Sequence, residues 1–117
     1  MNNRGEEFLP LPPAMLHILL TLANEDLHGY GIMQEVARQS EGLYKLGPGT
    51  LYDNLARLLD QRLVHEVSSA TSGDSSRRRY YRLSSLGRSV LSMEIQRLEK
   101  LIRDGKLRLT SATPRRT

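Results

Sequence analysis

The chain has 117 residues and contains no cysteine, no tryptophan and only one phenylalanine, Phe8. Without cysteine it forms no disulfides, no thiolate zinc sites and no cysteine-based catalytic centres. No apolar run approaches the roughly 18 residues that a membrane-spanning helix requires, and the first residues lack the apolar segment of a secretory signal. We therefore expect a cytoplasmic protein with one domain, because this length suffices for a single modest core.

Patterns that carry catalysis or metal binding are equally scarce. Three histidines are present, but they share no metal-ligand spacing: His17, His28 and His65. His17 is interpreted as a core or interface residue, and His28 with Tyr30 as capping and packing residues in preference to polar site residues. We find no nucleophile paired with a base and no glycine loop that would cradle a phosphate. The sequence predicts neither an enzyme nor a bound cofactor.

The charged residues are distributed unevenly along the chain. Up to Ser76 there are five Lys and Arg against ten Asp and Glu, whereas from Arg77 onwards there are twelve against three. The two parts therefore carry net charges of −5 and +9. Such a separation fits a basic surface for an anionic partner such as nucleic acid, although a solvated charged helix accounts for it equally well.

Hydrophobic periodicity predicts three helices, two strands and a long last helix, in that order. Prolines open the first and third helices, because proline has helical φ and the N–H it lacks is unpaired in the first turn, and Ser84 caps the last helix. The helices begin at about 12, 29, 47 and 84, a short extended stretch is expected at 43–46, and the strands flank a Ser/Gly-rich run at 68–76. We divide the chain into a flexible arm at 1–9, a winged helix-turn-helix at 10–84, a dimerisation helix at 85–107 and a disordered tail at 108–117.

Three helices followed by a β-hairpin define a winged helix-turn-helix domain. The expected fold class is mainly α with a small β-hairpin, extended by a C-terminal dimerisation helix. In such a domain the third helix enters the major groove of DNA and the hairpin, or wing, contacts DNA beside it.

Four motifs resemble those of the PadR-like transcriptional regulators, at the spacing of that family and over residues 11–107. They are LPPAMLHILL at 11–20, HGYGI at 28–32, GPGTLY at 47–52 with Leu55 and Leu58, and RRYYRL at 78–83 with LGR at 86–88. The resemblance implies a dimeric winged-helix repressor of a palindromic operator, often controlled by a small effector. Gly47 and Asp53 depart from the family pattern, and Asp53 leaves the base preference open.

The exposed face of the third helix supplies the candidates for reading bases. At 100° per residue from the buried Leu51, four polar residues lie on the opposite side: Thr50, Asp53, Asn54 and Arg57. Arg57 suits guanine and Asn54 suits adenine, whereas Asp53 either accepts from a cytosine amino group or lies off the groove. Thr50 and Tyr52 are placed for phosphate, and Tyr52 alternatively packs against the wing. A merely solvated helix face is the other interpretation of this pattern.

The wing carries the strongest basic run of the chain. Guanidinium groups at a hairpin tip contact the DNA backbone or enter the minor groove, so four residues are phosphate candidates: Arg77, Arg78, Arg79 and Arg82. Strand alternation places Tyr81 and Leu83 on the core side. A solvated basic turn is the alternative.

The last helix has more apolar surface than docking on one body requires. One stripe comprises Leu86, Val90, Met93 and Leu101, and is assigned to the winged-helix body. The other has the spacing of a helix-pairing seam and is assigned to a homodimer interface: Leu91, Ile95, Leu98 and Ile102. The alternative is a helix folded back over its own domain.

The predicted function is therefore sequence-specific binding to double-stranded DNA by a homodimer that regulates transcription. Dimer symmetry predicts a pseudo-palindromic operator. A small-molecule effector is implied by the resemblance, with its place between the winged helix and the dimerisation helices. A winged-helix module for protein–protein contact is the competing interpretation, and it predicts little salt-dependent affinity for DNA.

Overall fold

The computed structural model describes residues 5–68 and 79–111. A short 3-10 helix at Glu6–Phe8 precedes the main elements, which are α1 (Pro13–Thr21), β1 (Leu27–His28), α2 (Gly29–Gln39), α3 (Pro48–Asp60), β2 (Val64–Val67), β3 (Tyr80–Leu83) and α4 (Ser85–Leu109). The tip of the hairpin, with Arg77 and Arg78, lies outside the described residues.

Local signals at the helix starts act as the sequence predicts. Pro13 and Pro48 occupy the first turns of α1 and α3. The His28 Nδ1 atom accepts a hydrogen bond of 3.0 Å from the Gly31 N–H and so caps α2, as expected for a capping residue. At α4 the Ser84 hydroxyl oxygen accepts one of 2.9 Å from the Gly87 N–H. Each cap satisfies a backbone donor that has no partner inside its helix.

The fold is mainly helical with a small antiparallel sheet, which confirms the predicted class. The strand order is β1-β3-β2, so β3 is central, and Glu66 lies opposite Tyr81 in the β2–β3 register. The two-residue strand β1, which pairs Leu27 with Tyr81, was not predicted. The short extended stretch expected at 43–46 does not form a strand: Leu43 and Tyr44 lie in a bend, and Lys45 and Leu46 have no regular secondary structure.

One hydrophobic core joins all the helices to the sheet. Its fully buried members include Ile18 and Leu19 of α1, Leu55 of α3 and Val90 of α4. Tyr81 and Leu83 are buried as strand alternation predicts, while the intervening Arg82 is exposed. The α3 helix is thus held from behind, and its polar side is free to face a ligand.

The first described residues differ from the flexible arm expected at 1–9. Gly5 has a φ of +104°, and a Cβ atom there would lie 2.6 Å from Val90 Cγ2, so residues 5–8 pack directly on α4. The Leu11 N–H then donates a hydrogen bond of 3.0 Å to Glu94 Oε2. This contact joins residues 83 positions apart. The N-terminal segment has no hydrophobic periodicity, so the sequence did not predict that it packs on α4.

The Glu94 carboxylate fixes this junction although only 1% of its residue surface is exposed. Arg97 donates to both carboxylate oxygens, at 2.6 and 3.0 Å. These hydrogen bonds from Arg97 hold the pKa of Glu94 below its ordinary value, against the opposing effect of burial. A buried charge is tolerated here because both of its oxygens have donors.

The two apolar stripes of α4 do not divide between the winged-helix body and a partner as expected. Leu91 is 4% exposed and belongs to the core, so its assignment to the dimer interface is wrong. Leu101, assigned to the body, is exposed because α4 has by then run past the domain. The helix also continues to Leu109, two residues beyond its expected end at 107. No helix in the described ranges is long and apolar enough to cross a membrane.

Candidate nucleic-acid interface

The α3 helix presents polar side chains on the side opposite the core. Leu51, Leu55 and Leu58 are buried, whereas the predicted base-reading residues point outward: Thr50, Asp53 and Arg57 are exposed and Asn54 is half-buried. The helical geometry expected for these four residues is therefore present.

Asn54 and Arg57 differ in the polar contacts that they make within the chain. The Asn54 Nδ2 atom donates a hydrogen bond of 2.8 Å to the Thr50 carbonyl oxygen, which leaves its own carbonyl and one N–H available. Arg57 forms no ion pair within the part of the chain that the structure describes. Its guanidinium group, with five donors in a planar fork, is thus free to bind bidentately.

Tyr52 joins α3 to the start of α2. Its hydroxyl lies where a Cβ atom on Gly29 would be, only 2.2 Å from that position, so no other residue fits at 29 without displacing the ring. Half of the Tyr52 surface remains exposed. The two expectations for this residue, phosphate contact and packing, are compatible, but the surface it packs on is principally the α2 terminus.

A second cluster forms where the wing meets α3. The Arg79 Nε atom lies 3.1 Å from Glu66 Oε2 in an exposed ion pair. Burial raises the pKa of the Tyr81 phenol, with smaller contributions in the same direction from Glu66 and Tyr52, while Arg79 opposes the rise. Glu66, Arg79 and Tyr81 therefore lie together on one face of the sheet.

Arg82, the other described arginine of the wing that is expected to contact phosphate, is paired within the chain. Its Nε and one terminal nitrogen donate to the two carboxylate oxygens of Asp26, at 3.1 and 2.8 Å. The hydrogen bond from Arg82 also lowers the pKa of Asp26. This bidentate pair links β3 to the segment before β1 and offsets the charge of Arg82, whose side chain remains 58% exposed.

Sequence reasoning missed two features of this surface. Tyr30 is exposed and stacks at 6.5 Å on His28, whose ring also meets Tyr80 edge-on at 5.3 Å, so aromatic rings line the edge of the wing. Glu66 was overlooked because its place beside Arg79 depends on the β2–β3 register. The register of a hairpin is set by its turn type and loop length, and the long segment between β2 and β3 does not specify a turn type.

Other kinds of site are not evident among the described residues. No three His, Asp or Glu side chains there form a group that would hold a metal ion. A cleft of about 280 Å³ lies between the N-terminal segment and α4 and is lined by Glu6, Leu9, Met93, Gln96, Arg97 and Lys100.

Comparisons with known proteins agree with this geometry. Residues 18–93 match the model of the transcriptional regulator PadR-like family. A transcriptional regulator of Mycobacterium tuberculosis is 38% identical over 89 residues, which cover 76% of this chain and 78% of that protein. An uncharacterized protein X of Lysinibacillus sphaericus is 33% identical over 75 residues, covering 64% of this chain and 68% of that protein.

Solved structures show the same architecture. A PadR family transcription regulator from Clostridium difficile superposes with a TM-score of 0.67 at 26% identity, covering 82% of this chain and 99% of that one. A PadR-like transcriptional regulator from Bacillus cereus gives a TM-score of 0.72 at 20% identity, covering 83% and 91%, which supports the fold alone.

Proposed function

Because the chain belongs to the PadR-like family of transcriptional regulators, we propose that it is a dimeric repressor that binds a pseudo-palindromic operator through α3 and its wing. Members of this family are DNA-binding regulators and not enzymes. The observation that carries the proposal is the polar face of α3, which is exposed while the opposite face is locked into the core.

The base-reading part of the proposal concerns Thr50, Asp53, Asn54 and Arg57. Arg57 has its guanidinium free to donate to the O6 and N7 atoms of guanine, and Asn54 keeps one amide donor and its acceptor for adenine. Asp53 lies four residues before Arg57 on the same face. Its carboxylate accepts from a cytosine amino group, which favours a G·C pair in this part of the half-site.

The phosphate-binding part concerns residues at both edges of the same surface. Thr50 lies in the first turn of α3, where free backbone N–H groups favour an anion. Tyr52 and Arg79 lie between α3 and the wing. Arg77 and Arg78 lie outside the described residues, and their contact with the DNA backbone or the minor groove is proposed from the basic run in the sequence alone. Arg82 is left out because of its pair with Asp26.

The dimer part rests on the half of α4 that follows Glu94. This part of the helix extends about 22 Å at 1.5 Å per residue and carries apolar side chains that its own domain does not cover. Apart from Leu107, which lies on another side of the helix, they are Ile95, Leu98, Leu101, Ile102 and Leu109. A second copy of α4 would bury them in a self-complementary interface and place two α3 helices on successive major grooves. An effector bound beside the paired helices would then control their spacing.

We expect Arg57→Ala to remove selectivity while sparing general DNA affinity. A duplex with the sequence that the wild-type protein prefers should bind the variant about 10- to 100-fold more weakly, because one bidentate base contact contributes about 1–3 kcal/mol. Affinity for a scrambled duplex should change little. Fluorescence anisotropy on both duplexes measures the two constants.

Arg103→Ala is the matched control, since Arg103 is exposed on α4, away from the proposed DNA interface. It removes the same charge and should leave selectivity intact. Equal losses on both duplexes in Arg57→Ala would assign Arg57 to phosphate instead of a base. Weak binding of the wild-type protein to both duplexes would instead favour a protein-contact module.

A further inference from the structure

The carboxylate of Glu66 lies inside the surface proposed to contact DNA. Glu66 and Tyr81 are opposite each other in the β2–β3 register, so their side chains are on the same face of the sheet. Arg79 is two residues before Tyr81 and reaches the same face, where its Nε atom lies 3.1 Å from Glu66. Tyr52 of α3 packs against Gly29, which directly follows β1 and so lies beside the part of β3 that carries Tyr80 and Tyr81.

This position is where the DNA backbone would pass. A recognition helix occupies the major groove and a wing contacts the neighbouring minor groove, and one sugar-phosphate backbone separates these two grooves. Residues between α3 and the wing strands therefore face phosphates. Arg79 suits that environment, whereas a negative charge on Glu66 opposes it.

The pair of Glu66 and Arg79 is open to exchange. The Arg79 side chain is 75% exposed and that of Glu66 is 44% exposed, so water screens their attraction and the pair is weak. A phosphate bound by charge-assisted hydrogen bonds competes well with such a carboxylate. While the pair is intact, however, Arg79 contributes no net positive charge to the interface.

The neighbouring pair of Arg82 and Asp26 differs in the features that matter for exchange. Two hydrogen bonds hold Arg82, and the pair connects segments 56 positions apart. Glu66 instead lies on the edge strand β2, and its pair with Arg79 is more exposed, at 75% and 44% of the two side chains against 58% and 35% for Arg82 and Asp26.

From this arrangement we infer that Glu66 restrains DNA binding, because its carboxylate competes with phosphate for the guanidinium of Arg79. The inference rests on the proposed function and adds an affinity-setting residue to the same interface. It concerns the DNA backbone, so the effect is independent of base sequence. Removing the carboxylate frees Arg79 for phosphate and takes away a repulsive charge.

The test is Glu66→Gln, measured by fluorescence anisotropy on a mixed-sequence duplex about three helical turns long. At about 0.1 M salt we expect binding to be roughly three- to fivefold tighter, which corresponds to the loss of one weak exposed pair. The slope of log affinity against log salt should steepen by about 0.9, the share of one added phosphate contact.

Glu35→Gln is the charge-matched control, because Glu35 also forms an exposed pair with an arginine, Arg38, but on α2. It should change neither the affinity nor the slope appreciably. Thermal unfolding of both variants should stay within about 2 °C of the wild-type protein, since exposed pairs contribute little stability.

A double-mutant cycle with Arg79→Gln shows whether Glu66 acts through Arg79. In the Arg79→Gln background, Glu66→Gln should change affinity by less than about 1.5-fold. An unchanged or weaker affinity in Glu66→Gln alone, or a full effect that persists without Arg79, would overturn the inference. If the wild-type protein binds DNA without sequence selectivity while Glu66→Gln still binds more tightly, the proposal of operator binding is rejected and the inferred role of Glu66 is retained.

Discussion

Ile102→Asp is expected to convert the proposed dimer into a folded monomer and to weaken operator binding by more than about 100-fold, because the avidity of two linked half-site contacts is lost. Ile102 is 56% exposed in a single chain, so the change should leave the winged-helix core intact. In the dimer it would place a charge without a partner in an apolar seam. Sedimentation analysis measures the association state, and anisotropy measures the affinity for a two-half-site duplex.

Leu107→Asp is the matched control for this change. Leu107 is likewise exposed and apolar, but it lies about 140° around α4 from Ile102 at 100° per residue. The control should remain dimeric and bind the operator normally. If Ile102→Asp stays dimeric and Leu107→Asp does not, the protein pairs through another face of α4.

Gly87→Ala is expected to destabilise the protein by about 3 kcal/mol, at the upper end of the usual cost of overpacking. An added Cβ atom would lie 2.0 Å from the Leu63 carbonyl oxygen and 2.9 Å from Leu83 Cδ1. The first of these is backbone, which cannot rotate away. Relief requires the start of α4 to move off the turn that leads into β2, so thermal unfolding should occur roughly 10 °C lower.

Gly49→Ala provides the comparison, since it makes the same substitution in the first turn of α3. The structure places nothing within 4 Å of the added Cβ atom there. With no clash, and with alanine the better helix former, stability should be unchanged or slightly higher. A melting temperature for Gly87→Ala equal to that of Gly49→Ala would show that α4 is free to shift, contrary to this packing.

Short-range signals in the sequence predicted most of the fold. Pro48 marked the start of α3 and Ser84 the cap of α4, because the residues that decide a helix start are its own neighbours. The periodic leucines of α3 also placed Arg57 and its polar neighbours on the side away from the core. The orientation of the candidate base-reading face was therefore predictable without the structure.

Long-range contacts account for what the sequence did not predict. The N-terminal segment packs on α4 because Leu11 bonds to Glu94, 83 positions away, and Arg82 pairs with Asp26, 56 positions away. Periodicity showed that α4 has two apolar stripes, but not where the domain ends along it. For that reason Leu91 was assigned to a partner, although it is buried within its own chain.

The most direct test of the regulator proposal is selection of bound sequences from a random duplex library by the full-length protein, followed by sequencing. We expect enrichment of a two-fold symmetric consensus whose half-sites are about one helical turn, or a multiple of it, apart. Arg57→Ala should relax the preference at one position in each half-site. Recovery of unrelated sequences, with affinity that depends on salt alone, would contradict the account.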